Sequence, residues 1–222
     1  MISLKSSFFL LIFLILLTSY NPVNLERNKS IFFPIKTITL EELKLINENQ
    51  LINKLEPLKN KSLFFLQKKW IKDITNEFKY ISNISVKKIY PDTIKIKIIE
   101  KEPIAVQVVK KKKLYITKNG EIIEFINSKS YQNLPLVFGN QKNFNIFLDD
   151  IKKINFDISI IKAFYYFDIG RWDIELLNNK IIKLPEKNYV KSLENYILIS
   201  KNKDFKKYKT FDYRITDQLI LK

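Results

Sequence analysis

Ile94, Ile96 and Ile98 alternate with Lys95 and Lys97, and this alternation constrains the chain more than any other feature. A side-chain period of two belongs to a strand with one face in a core and the other in water. Ile84 and Val86 open the same stretch, and Tyr90-Pro91-Asp92 stands between the two runs. Proline presets φ and removes a ladder donor where a chain reverses, so the stretch reads as two strands joined by a turn. Glu102-Pro103 ends the pairing, and Ile104 to Val106 begins another strand. The chain divides there, into a small α+β module before and a β-leaning module after.

At 222 residues, 46 % of them apolar, there is room for one large domain or two small ones with cores of their own. Cysteine and histidine are both absent. No disulfide framework or thiolate metal site can form, and most nucleophile–base pairs and zinc sites are removed with them. The formal charge of +16 invites a nucleic-acid reading. The lysines, however, are spread along the whole chain, and the local runs Lys110 to Lys113 and Lys206-Lys207 read as solvated turns. No nucleic-acid partner is expected.

Lys5-Ser6-Ser7 precedes an unbroken apolar run from Phe8 to Leu17. Counted from Leu4 to Tyr20 the segment has 17 residues, the short end of the roughly 17–25 that cross a bilayer core. A cleaved signal peptide competes with this reading, but Ser19 and Thr18 each have leucine two residues earlier, where a peptidase wants a small side chain. The segment reads as an uncleaved signal-anchor over residues 7–21, behind a short cytoplasmic tail at 1–6. Arg27, Lys29 and Lys36 follow the span, so the charges alone leave its orientation open.

The first module, residues 31–101, reads as a strand near Ile38 and Leu40, then a helix from Gln50 to Leu58 capped by Asn49. A second helix follows from Lys68 to Lys79 with Ile71, Ile74 and Phe78 inward. Leu63 to Leu66 forms an apolar plug between them, and the two strands of the opening stretch close a β-α-α-β-β order. All its leucines and isoleucines are expected in the core. The second module, residues 103–222, begins with strands at Ile104–Val109 and Leu114–Thr117. An Asn119-Gly120 hairpin and a strand at Glu121–Ile126 complete a meander. A helix over Asn143 to Ile154, a hairpin turning on Asn178-Asn179, a helix over Lys187 to Lys201 and strands at Thr210–Arg214 and Leu219–Leu221 complete it. Val190, Leu193, Ile197 and Leu198 are its expected inner helix residues.

The candidates for chemistry are few. Asp149-Asp150, Asp157 and Asp168 fit no cation loop and read as surface carboxylates. No phosphate-binding glycine loop, nucleophile elbow or carboxylate dyad is readable. Trp172 and the tyrosines read as core or sheet aromatics. Asp212 and Arg214 share a strand face and read as a surface pair. No catalytic residue, metal or cofactor is expected.

The stretch Val86, Pro91, Ile94, Ile96, Ile98, Glu100, Pro103 and Ala105, placed after a short span and a β-α-α-β-β module, resembles the bacterial division protein family FtsQ, called DivIB in some groups. Tyr115-Ile116-Thr117 with Gly120, Ile122 and Phe125, Leu134-Pro135 with Gly139, Trp172 with Leu176 and Asn178, and Thr210 to Arg214 are similar to later landmarks of the family. The resemblance implies an α+β fold: a single N-terminal transmembrane helix, a POTRA module, and a mainly antiparallel β domain with flanking helices. It implies a non-enzymatic scaffold of the inner membrane, N-terminus inside and bulk in the periplasm, that recruits and regulates septal peptidoglycan synthesis. In the family the C-terminal β edge binds FtsB, which travels with FtsL, while the POTRA module faces FtsK, FtsW and FtsI. Carried onto this chain, the partner surface is Phe211, Arg214, Ile215, Leu219, Ile220 and Leu221, with Arg171 and Trp172 nearby. Ile215 stands where the family often has an aromatic. A different POTRA-bearing envelope assembly or secretion factor is the alternative, although such proteins repeat the module and add a barrel. A membrane-anchored cell-wall enzyme is a weaker third reading.

Overall fold

The structure, a computed structural model, describes residues 4–18, 31–41, 43–140, 143–215 and 217–222. Helix α1, Leu4–Thr18, is apolar from Phe8 to Leu17. At about 1.5 Å per residue its 15 residues reach roughly 22 Å. Among the described residues no helix is long and apolar enough to cross a membrane. The far end of the expected anchor, residues 19–21, lies outside the described residues.

Three strands form the first sheet: β1 (Thr37–Leu40), β2 (Ile81–Ile89) and β3 (Thr93–Glu100), in the order β1-β3-β2. β2 pairs β3 antiparallel across the turn, where the Tyr90–Pro91 bond is cis, and β1 pairs β3 in parallel. The alternation in β3 is realised as expected, with Ile94 and Ile96 fully buried and Ile98 nearly so. Lys95 and Lys97 face outward, and both reach toward Glu41, at 3.7 and 3.3 Å. Helices α2 (Glu48–Leu55, followed by a 3-10 turn to Leu58) and α3 (Lys68–Thr75) cover the apolar face with Leu51, Leu55, Leu58 and Ile71. Each buried aliphatic side chain contributes on the order of 2 kcal/mol, and neither eight-residue helix would persist without this cover.

Several local expectations shift. The cap of α2 is Asn47, whose side chain accepts from the Gln50 N–H, because the chain hooks over residues 43–46 before the helix. The hook is fixed by Glu100, whose carboxylate accepts the backbone N–H groups of Lys44, Leu45 and Ile46 at 2.9, 3.0 and 2.9 Å. In the apolar plug Leu63 and Leu66 are buried, but Phe64 and Phe65 are exposed. Ile89 and Ile99 also point outward, so the core does not take every isoleucine.

The second sheet has nine strands in the order β12-β11-β10-β9-β8-β7-β4-β5-β6. They are β4 (Pro103–Val109), β5 (Lys112–Thr117), β6 (Ile122–Glu124), β7 (Leu136–Phe138), β8 (Ile161–Phe167), β9 (Arg171–Leu176), β10 (Ile181–Lys183), β11 (Thr210–Asp212) and β12 (Ile220–Leu221). Antiparallel pairs dominate, but β4–β7, β7–β8 and β10–β11 are parallel. Parallel neighbours need long connections, and two of these carry α4 (Phe144–Lys153) and α5 (Tyr189–Ser200). Both helices lie on one face of the sheet, contributing Phe144, Phe147, Leu148, Ile151, Leu193 and Tyr196 to one core. Leu198 points to solvent instead, since the inner stripe of α5 runs through Leu193, Tyr196 and Ile197.

Turn chemistry is also more specific than expected. Lys110 and Lys111 both adopt positive φ, +45° and +69°, making a two-residue turn from side chains that rarely occupy it. At Asn119-Gly120 only the glycine has positive φ. Asn179, at φ +61°, is the left-handed residue of a three-residue loop, with Leu176 N–H donating to Lys180 C=O. The modules meet through Leu45, Val106, Tyr115 and Ile123, flanked by Tyr80, Phe125 and Tyr131. Ser128 Oγ donates to Lys44 C=O at 2.9 Å across this seam.

Candidate functional site: the C-terminal sheet edge

β12 is the outermost strand of the nine, and it is built from the last residues of the chain. It pairs antiparallel with β11 through Phe211↔Leu221 and Asp212↔Ile220. Thr210 and Lys222 exchange both backbone hydrogen bonds, at 2.9 and 3.1 Å. In an antiparallel ladder the next residue turns its own N–H and C=O the other way. The backbone groups of Leu221 therefore point off the sheet, where no further strand lies among the described residues.

Two rows of side chains cross the sheet to this edge. On the helix-covered face Val137, Phe164, Ile174, Ile182, Phe211 and Leu221 are successive ladder partners, and all belong to one core. On the opposite face runs Phe138, Tyr165, Asp173, Lys183, Asp212 and Ile220. The apolar row is continuous up to Leu221 and stops there. Leu219 and Leu221 lean on the core, while Ile220 between them is 37 % exposed.

Arg214 sits just past β11 and holds Asp212 with two side-chain hydrogen bonds, Nε–Oδ1 at 2.8 Å and Nη2–Oδ2 at 2.6 Å. The Arg214 N–H adds a third at 3.2 Å. Hydrogen bonding from Arg214 holds the Asp212 carboxyl below the usual aspartate range, against the burial that would raise it. The Asp212 side chain is only 6 % exposed and that of Arg214 42 %, so this is a buried carboxylate under a half-exposed guanidinium. The surface pair expected from sequence is corrected accordingly. Its neighbour Asp173 behaves oppositely. Burial pushes its carboxyl up, outweighing the nearby Arg171 cation. Arg171 Nε lies 3.3 Å from Asp173 Oδ1 without a hydrogen bond formed, and its guanidinium rests on the Phe167 ring at 4.3 Å.

Beside the edge, Tyr213, Arg214, Ile215, Asp217 and Leu219 form one wall of a groove of about 620 Å³. The loop after β10 and the start of α5 form the other, with Lys187, Lys191 and Asn195. The Tyr213 hydroxyl donates to Asn195 Oδ1 at 3.0 Å, pinning the two walls together.

The eight residues singled out from sequence thus separate. Arg214, Ile215, Leu219, Ile220 and Leu221 gather at the edge and its groove, with Ile215 50 % exposed. Phe211 is fully buried, edge-on to Tyr196 at 4.9 Å. Trp172 is 5 % exposed and stacked on Phe147 at 4.9 Å. Both support the edge from inside and offer no side chain to a partner. Arg171 lies on β9, two strands in from β11. The groove residues Lys187, Lys191 and Asn195 were missed; a helix start after Asn188, itself at φ +59°, was the available signal.

Residues 33–101 match the profile of the FtsQ-type POTRA domain, and residues 105–214 that of the FtsQ/DivIB cell division protein C-terminal domain. No curated protein matches the chain. A similar solved structure is the major extracytoplasmic domain of the trans isomer of the bacterial cell division protein DivIB from Geobacillus stearothermophilus. It shares 11 % identity at a TM-score of 0.30, covering 49 % of this chain and 98 % of that one.

Proposed function

Because this chain belongs to the FtsQ/DivIB family of cell division proteins, we propose that it is a non-enzymatic divisome scaffold whose open C-terminal β edge captures a strand of FtsB, and FtsL with it. In this reading α1 is its membrane anchor, the N-terminus is inside, and both modules stand in the periplasm of the cell inner membrane. It recruits and regulates septal peptidoglycan synthesis through the partners it gathers, with the POTRA module turned toward FtsK, FtsW and FtsI.

One observation carries the strand-capture reading. The apolar row from Val137 to Leu221 reaches the sheet boundary without a capping polar residue, and the outward N–H and C=O of Leu221 mark the next ladder position. An added strand gains ladder hydrogen bonds there, and its alternate side chains choose the register by extending the apolar row on one face. Edges left this way are aggregation-prone unless something covers them. Ile215, Ile220 and Arg214 line the approach on the solvent side.

A pull-down of the tagged full chain from growing cells tests the reading. Recovery of FtsB and FtsL, lost on deletion of residues 219–222, is the expected result. Equal recovery with and without those residues would sink the edge as the contact.

A further inference from the structure

Four exposed aromatic side chains of the first module collect at one pole. Phe32, Phe64 and Phe65 are 65, 56 and 66 % exposed, and Trp70 is 39 % exposed. The pole is held together by the backbone. Pro34 bridges Ser62, Leu63 N–H donates to Phe33 C=O at 2.8 Å, and Ser62 Oγ donates to Phe32 C=O at 2.6 Å. Ile31, Phe32, Phe65 and Trp70 line a shallow depression of about 520 Å³. These rings are fixed on a framework, yet none of the described residues covers them.

Cations lie beside the rings. Lys61 lines the same depression, and Lys68 and Lys69 immediately precede Trp70 in the chain. Lys61 Nζ lies 5.7 Å from the Trp70 ring centre, and Lys88 Nζ donates to Phe64 C=O at 2.9 Å. Aromatic rings with lysines beside them suit the headgroup level of an anionic bilayer, where rings enter the interface and lysines meet lipid phosphates. Position decides between lipid and a soluble partner. The chain enters the module at this pole, and only residues 19–30 separate Ile31 from the end of α1. Thirteen residue steps span at most about 45 Å fully extended, so an anchored α1 holds this pole near the membrane at high effective concentration.

We propose that the pole formed by Phe32, Phe64, Phe65 and Trp70 rests on the anionic surface of the membrane that anchors the chain, so that the first module lies against the bilayer. This rests on the reading of α1 as an anchor. The docked pole adds a second attachment to a short span, and it fixes which way the module presents its remaining surfaces.

The test uses the full chain in vesicles of phosphatidylethanolamine and phosphatidylglycerol, with and without brominated acyl chains. The chain has two tryptophans, and Trp172 is buried in the second core, so quenching reports Trp70. Brominated lipid is expected to quench the wild type, to leave Trp70→Phe unquenched, and to quench less in Phe64→Ser/Phe65→Ser or without phosphatidylglycerol. Flotation reads the anchor separately. A chain that floats with the vesicles while Trp70 stays unquenched overturns the docking and leaves the anchor standing; a partner protein would then be the occupant. A chain that fails to float overturns both.

Discussion

Arg214 grips Asp212 with both arms of its guanidinium, at 2.8 and 2.6 Å, over a carboxylate that is otherwise shut away from water. Removing the cation alone strands a buried charge, which costs more than the pair contributes. Because Arg214 is half exposed, Arg214→Ala is expected to lose about 2 kcal/mol, below the roughly 3–5 kcal/mol of a fully buried pair. Urea unfolding of the wild type and variant measures it.

The two buried aspartates of the second sheet are expected to respond differently. Asp212→Asn gives up charge-assisted bonds and should cost about 2 kcal/mol. Asp173→Asn removes a carboxylate that burial already disfavours and that accepts no bond from Arg171. It should cost under about 1 kcal/mol. Paired thermal melts compare them. Equal losses would show that the Arg171 contact is as strong as the Arg214 one.

The pH dependence follows from the same groups. Asp212 has its folded pKa lowered by Arg214, so its contribution is present above the ordinary aspartate range and is lost as pH falls through the lowered value. Burial, helped by Glu175 and Asp150, raises Tyr165 and Tyr189 to about 12, and burial raises Tyr196 as well. Their contribution is complete below about pH 10 and is lost as pH climbs toward 12. With no histidine in the chain, stability between about pH 6 and 9 is expected to stay nearly flat. Chemical denaturation across pH 2 to 12 checks all three arms.

Gly139, at φ +89°, ends β7 against the backbone of β8. A Cβ there would lie 2.4 Å from the Tyr166 carbonyl oxygen. Backbone cannot move aside as a side chain can, so Gly139→Ala combines left-handed strain with a clash and should cost about 3 kcal/mol. Gly120→Ala meets only the Asn145 side chain, at 3.5 Å, and should cost about 1 kcal/mol from the φ alone.

How far the sequence could be read depends on what each residue answers to. Ile94, Ile96 and Ile98 answer to a local period, and their burial was legible. Glu100 was not: its three backbone partners lie 54 to 56 residues away, and no local rule points to a carboxylate closing a loop. Trp172 reads as a core or sheet aromatic from its residues, and only the family carry-over sets it and Phe211 with the partner surface; both are core, because α4 and α5 cover their face of the sheet. Lys110-Lys111 folds where Asn-Gly would be expected, since the ladder from Gln107↔Leu114 outward sets the turn whatever its residues prefer. The edge itself was placed by resemblance. Its physical basis, the uncapped apolar row, exists only once six strands are laid side by side.

The most direct measurement is amide hydrogen exchange at Leu221 in the full chain, alone and with the FtsB segment bound, alongside a Leu221→Pro variant. Proline removes only the outward N–H and leaves the inner bonds of Lys222 to Thr210 in place. The account predicts a Leu221 amide that exchanges freely alone, slows by orders of magnitude when FtsB binds, and a Leu221→Pro chain that folds but binds FtsB at least tenfold more weakly, about 1.4 kcal/mol. Tight FtsB binding with Leu221 exchange unchanged and the proline variant unaffected would contradict strand capture at this edge.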